Sequence, residues 1–161
     1  MGTDKKTLIV FSGDLDRAIA AFVIANGAAA MGDEVTMFFT FWGLSILRKP
    51  RRGKVRHPGQ SRLQAMFGRL MPSGPDKLRL SQLNFAGMGA PMLRTVMRQK
   101  NVASLQSLMA TAKEQGIKLL ACTMSMDVMG FGPEDLIDGV EFVGVASYLG
   151  EADEANVNLF I

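Results

Sequence analysis

One cysteine and one histidine stand in a chain of 161 residues, and their scarcity removes whole classes of chemistry. A single thiol cannot close an internal disulfide and cannot build a multi-thiolate zinc site. His57 alone offers no imidazole cluster, so neither a metal nor a resident cofactor is expected. Long apolar runs are also missing, since no stretch approaches the roughly 18 uninterrupted apolar residues of a membrane span. The opening MGTDKKTLIVF passes from charge straight into a short strand-like run, without a signal-peptide core or cleavage site, which predicts a soluble, cytoplasmic chain. Neither GxGxxG nor the Walker lysine motif occurs, so classical dinucleotide and triphosphate binding have no signature.

What is present is enough apolar material for one core. Hydrophobic residues make up 48% and charged residues 20%, which argues against disorder, and the length fits a single domain spanning 1–161. The net charge of +3 hides an uneven distribution. Arg48, Lys49, Arg51, Arg52, Lys54, Arg56, Arg62, Arg69, Lys77 and Arg79 face the single acid Asp76, marking a basic insert around 48–80. The last sixty residues are acidic by contrast, so electrostatic steering would be local.

Five short apolar runs punctuate the chain: TLIVF (7–11), EVTMFFTF (34–41), IKLLAC (117–122), VEFVGV (140–145) and VNLFI (157–161). Apolar on both faces and separated by helical patterns, they predict an α/β domain with a mainly parallel five-stranded sheet covered on both sides. Asp14 is positioned to cap a first helix whose apolar face includes Ile19, Phe22 and Val23, and Gly32 to stop it. The run LSILRK looks like a short helix, and KPRRGKVRHPG like a loop with its cations in solvent. RLQAMFGRLMP (62–72) is amphipathic and basic; MLRTVMRQKN (92–101) and SLQSLMATAKEQG (104–116) read as two further helices, the latter capped by Ser104.

Ligands of such sheets lie beyond the carboxyl ends of the strands. The residues there are Ser12, Gly13 and Asp14; Phe41, Trp42 and Gly43; and Cys122, Thr123 and Ser125. Cys122 admits two readings. At the start of a short helix, backbone amides stabilise a thiolate and make it a nucleophile or persulfide carrier, with Ser12, Thr123 or Ser125 as hydrogen-bond donors. A free cysteine is also one of the most often buried residues and packs as a small hydrophobe. Asp14 serves either a ligand or only the helix cap, and it approaches Cys122 if the first and third strands are neighbours. The methionines around Cys122 line a pocket or fill the core. The basic segment docks an acidic partner or an anionic membrane, or is simply solvated. With Phe67 its only aromatic, it lacks a base-stacking platform, and no nucleic acid is expected.

The stretches TLIVFSGDLDRAIAAFVIANGAAAMGDEVTMFFTFWG, LNFAGMGAPMLRTVM and LLACTMSMDVMGF together resemble the DsrE/DsrF/DsrH-like family, in the branch labelled peroxiredoxin-like or sulfur-transfer proteins. The resemblance implies a three-layer α/β/α fold with a five-stranded parallel sheet, homo-oligomers, and sulfur carried as a persulfide between donor and acceptor proteins. Cys122 inherits the carrier role by that resemblance, a sulfurtransferase-type function. The alternative is a non-catalytic module that binds a small ligand or docks a partner through its basic segment.

Overall fold

The computed structural model describes residues 4–50 and 58–161. Arg51, Arg52, Lys54, Arg56 and His57 lie outside the described residues. In chain order the elements are β1 (Lys5–Val10), α1 (Leu15–Ala30), β2 (Glu34–Phe39), a 3-10 stretch at Phe41–Leu47, α2 (Arg62–Leu70), α3 (Gly89–Gln99), α4 (Leu105–Glu114), β3 (Lys118–Cys122), α5 (Thr123–Met129), β4 (Val140–Val143), α6 (Val145–Asp153) and β5 (Val157–Phe160). Shorter 3-10 turns occupy Pro75–Lys77, Phe85–Gly87 and Pro133–Asp135.

The five strands form one sheet in the order β4-β3-β2-β1-β5, and every pair is parallel. This is the expected α/β architecture. Side chains alternate across the sheet. Leu8, Val10, Val35, Met37, Phe39, Leu119 and Ala121 join the larger core cluster, whereas Phe38, Leu120 and Cys122 point into a smaller one on the other face. Burial on both faces is why the inner strands β2 and β3 read as continuous apolar runs, whereas β4 and β5, at the sheet's edges, are largely exposed.

The chain steps from β1 to β4 in one direction and then returns across the sheet to β5. Parallel crossovers are right-handed, so the returning connection lays its helix, α6, on the face opposite α1 and α4. Tyr148 of α6 accordingly belongs to the smaller cluster.

On the larger face, Ala18, Ala21 and Ala25 of α1 are fully buried, and their small size lets the helix approach the sheet and α4 closely. Phe22 fills the remaining space against Phe39, ring centroids 6.0 Å apart, a burial that contributes roughly 1.5–3 kcal/mol. Val23, expected on the apolar face, instead points to solvent, 100° around the helix from Phe22. Asp14 occupies the N-cap position but makes no side-chain cap hydrogen bond. Ser104 does cap α4, accepting from the Ser107 amide at 3.2 Å.

The expectation of a solvated basic segment fails at Arg48, which is 1% exposed. Its guanidinium donates to the carbonyls of Gly68, Met71 and Pro72 at 3.1–3.2 Å and stacks over Phe131 at 4.3 Å. A cation against the last carbonyls of α2 is favoured by the helix dipole, and the aromatic face adds a second attraction. Lys49 is also engaged, 2.9 Å from Asp138, and this hydrogen bond lowers the Asp138 carboxyl below its ordinary value.

Candidate functional site

The carboxyl ends of β1, β2 and β3 meet at one edge of the sheet, and two glycines bring the first two together. A Cβ on Gly43 would lie 2.0 Å from the Val10 carbonyl oxygen, and one on Gly13 would lie 2.6 Å from that of Trp42. Only hydrogen fits at either position. The contact is sealed by the Gly43 amide donating to Phe11 at 2.8 Å. Phe41 enters the bend with φ of 46°, an uncommon conformation for a non-glycine residue.

This backbone packing frames a cavity of about 280 Å³ lined by Ser12, Gly13, Asp14 and Trp42 together with Arg17, Ser45 and Arg79. Ser12 Oγ donates to Asp14 Oδ2 at 2.9 Å and accepts from the Asp14 amide at 3.1 Å, which holds the carboxylate at the rim. Arg17 Nε approaches the same carboxylate at 3.9 Å. The cavity thus offers an acid, two guanidinium groups, hydroxyls and an indole in one hollow. Arg17 and Arg79 escaped the sequence reading. Arg17 had a weak signal in its i+3 spacing from Asp14; Arg79 had none.

Outside the cavity's lining, Asp16 takes the Ser81 amide at 2.9 Å and also the Ser81 hydroxyl. Burial alone would raise this carboxyl. The Ser81 hydrogen bonds outweigh it and hold the group below the usual carboxylate value.

Cys122 lies elsewhere along the edge. Strand β2 intervenes between β1 and β3, so the condition under which Asp14 would approach Cys122 is not met. Two strand spacings, about 9–10 Å, separate their strands. The thiol opens α5 from the N-cap position and is 3% exposed, packed with Phe38, Leu120 and Tyr148. Ile9, Val143 and Ala152 close the cluster from its margins.

The hydroxyls expected to serve the thiol have other partners. Ser125, fully buried, pairs with Thr40 at 2.7 Å and ties α5 to the end of β2. Thr123 is exposed and donates to the Val143 carbonyl at 3.4 Å. Ser12 is held by Asp14. The nearby methionines divide, with Met126 and Met129 buried in the larger core and Met124 outside it.

The cover over Cys122 is held by polar groups. The Tyr148 ring stacks on Phe38 at 4.7 Å and 18°, and its hydroxyl meets Thr7 Oγ1 at 3.1 Å. At the amino end of the sheet, Lys118 joins Glu34 at 2.9 Å to Glu151 of α6 at 3.4 Å, and Lys5 pairs with Glu154. The Glu34 hydrogen bond raises the Lys118 ammonium above its ordinary value, and its counterpart lowers Glu34. The thiol is therefore enclosed beneath a short, clamped helix.

Comparison with known proteins agrees with this architecture. The family model described as DsrE/DsrF/DrsH-like matches residues 3–160. An uncharacterised protein of Bacillus subtilis, YrkE, is 50% identical over 159 residues, covering 99% of this chain and 98% of its own. The sulfur carrier protein DsrE2 of Allochromatium vinosum is 36% identical over 165 residues, covering the whole of both chains. Among solved structures, the ychN protein of E. coli superimposes with a TM-score of 0.54 at 13% identity, covering 98% of this chain and 99% of that one. The MTH1491 protein of Methanobacterium thermoautotrophicum gives 0.53 at 12%, covering 97% and 98%. Both structural likenesses speak to the fold alone.

Proposed function

Because this chain belongs to the DsrE/DsrF/DrsH-like family, we propose that it works in sulfur transfer, with Cys122 as the atom that carries the sulfur. The thiolate is the attacking form of cysteine. Cys122 Sγ attacks the outer sulfur of a donor persulfide, forming a new S–S bond as the donor's S–S bond breaks. The donor leaves as a thiolate and takes up a proton. An acceptor thiolate then attacks the terminal sulfur on Cys122, and the Cys122 thiolate departs. Sulfur moves without net oxidation, so no further reactant is required.

The observation that carries this reading is the position of Cys122 at the end of β3, in a chain similar over its whole length to a protein named a sulfur carrier. The apolar cluster around the thiol supports it further. Phe38, Leu120 and Tyr148 exclude water, which protects a persulfide from hydrolysis and stray thiols between donor and acceptor. Partner proteins supply and receive the sulfur, and contact with them displaces the cover.

Intact-mass spectrometry after incubation with a persulfide donor tests the proposal. A one-sulfur adduct on the native chain that Cys122→Ser abolishes is the expected result. No adduct, or one that survives the substitution, rejects it.

The cavity beside Asp14 favours a second reading, binding of a small ligand that carries both a cationic and an anionic group. It excludes Cys122 from its lining. On that reading Cys122→Ser leaves ligand binding intact, whereas Asp14→Asn weakens it.

A further inference from the structure

An amphipathic helix at the surface of a globular protein normally turns its apolar stripe to the core. Helix α2 does the reverse. Its inward positions are Gln64 and Gly68: Gln64 Nε2 donates to the Asp127 carbonyl at 2.7 Å, and Gly68 is buried with its carbonyl accepting from Arg48. The apolar residues Leu63, Met66, Phe67 and Leu70 share the other face and are 69%, 48%, 46% and 76% exposed. The orientation is fixed at both ends. A reciprocal pair of hydrogen bonds between Ser61 and Gln64 caps the start, and Arg48 holds the final carbonyls. The outward stripe is thus built into the fold.

Charge indicates what covers it. Arg62 and Arg69 fall on one flank of the stripe, 240–260° around the helix from Leu63 by the 100° step. From residue 35 to residue 113 the sole acid is Asp76, and every Lys and Arg of the chain except Lys5, Lys6, Arg17 and Lys118 lies in that span. Symmetric pairing of this face with a second copy would set cation against cation. In the acidic end of another copy, Glu151, Glu154 and Asp138 are already taken by lysines of their own chain, and pairing through those three would compete with these ion pairs. Long apolar side chains standing out between arginines are the pattern of a helix lying in a bilayer interface, its apolar groups among the acyl chains and its guanidinium groups at the phosphates.

We infer that α2 docks the protein onto an anionic lipid surface. The face is independent of Cys122 and of the sulfur-transfer reading. Contact of this kind is peripheral, and none of the described helices is long and apolar enough to cross a membrane.

Flotation of the full chain with vesicles tests the inference, using phosphatidylglycerol mixed with phosphatidylcholine and, separately, phosphatidylcholine alone. The expected result is recovery with the anionic vesicles at low salt, release as salt rises, and little recovery with the neutral ones. Leu63→Ser/Phe67→Ser/Leu70→Ser should lower partitioning about tenfold or more. Arg62→Gln/Arg69→Gln should lower it roughly tenfold, with less salt dependence. These side chains are at the surface, and circular dichroism checks that each variant keeps the fold. Failure of the native chain to float with anionic vesicles overturns the inference, as does equal recovery with neutral ones or partitioning that survives the triple substitution. A native mass that falls in the triple variant, without lipid binding by the native chain, assigns the face to a second copy instead.

Discussion

Replacing Tyr148 by alanine should expose the thiol without disturbing the larger core. The ring is 3% exposed, stacks on Phe38 and shares its cluster with Cys122, while its hydroxyl meets Thr7. Truncating a buried aromatic costs about 3 kcal/mol or more. The loss falls on the docking of α6, because no other described element contributes a ring to that face apart from Phe38 and the margin of β5. If α6 must lift before a reagent reaches Sγ, about 3 kcal/mol raises the open population by on the order of a hundredfold. Tyr148→Phe keeps the ring and removes only the Thr7 hydrogen bond, about 1 kcal/mol, so roughly a fivefold rise follows. The assay is alkylation of native protein by iodoacetamide, timed by intact mass, beside denaturant unfolding of the same variants. An alkylation rate that stays at the native value in Tyr148→Ala, with unfolding visibly destabilised, refutes the argument and moves the route of access away from α6.

Two further outcomes follow from the site's backbone and its carboxylates. Gly43→Ala puts a methyl 2.0 Å from the Val10 carbonyl oxygen, where only backbone can yield, and should cost about 3 kcal/mol, lowering the melting temperature by roughly 6–12 °C; a change within a degree contradicts the close approach. Asp16 and Glu34 have folded-state pKa values below the ordinary ones, so their stabilisation is fully present above the ordinary carboxylate range and is lost as pH falls through the folded values. Asp16→Asn should therefore flatten the acid limb of a stability–pH curve and leave the neutral plateau's slope unchanged, which denaturant unfolding from neutral pH to about pH 3 measures.

The inner strands β2 and β3 were readable because both faces of each are buried, so every residue from Val35 to Phe39 had to be apolar or small. Their order was not, because parallel apolar runs carry no mark of which neighbour they choose. That ambiguity left the nearness of Asp14 and Cys122 conditional on β1 and β3 being neighbours, a condition the sheet order does not meet. The strand-end triplets at 12–14 and 41–43 were identifiable from position alone, yet Arg79 and Arg17 complete the hollow from segments that the strand pattern does not address. Arg48 shows the limit most plainly. Its partners are carbonyls of Gly68, Met71 and Pro72, and every residue type supplies a carbonyl, so nothing in the local sequence distinguishes this arginine from the other cations of the basic segment. Periodicity likewise showed that α2 has one apolar side, but not that Gln64 and Gly68 would turn that side outward.

The pairing of β5 with β1 joins Lys6 to Val157, positions at opposite ends of the described chain. During synthesis the ribosome delivers Cys122 before α6, so the cluster that buries the thiol closes only after Tyr148 has been made. Until then the sulfur atom is bare on an unfinished sheet, open to whatever oxidant or sulfur donor the nascent chain meets. Docking of α6 is thus also the step that takes the thiol out of indiscriminate chemistry, and a translation pause after residue 122 would lengthen the interval in which it can be modified.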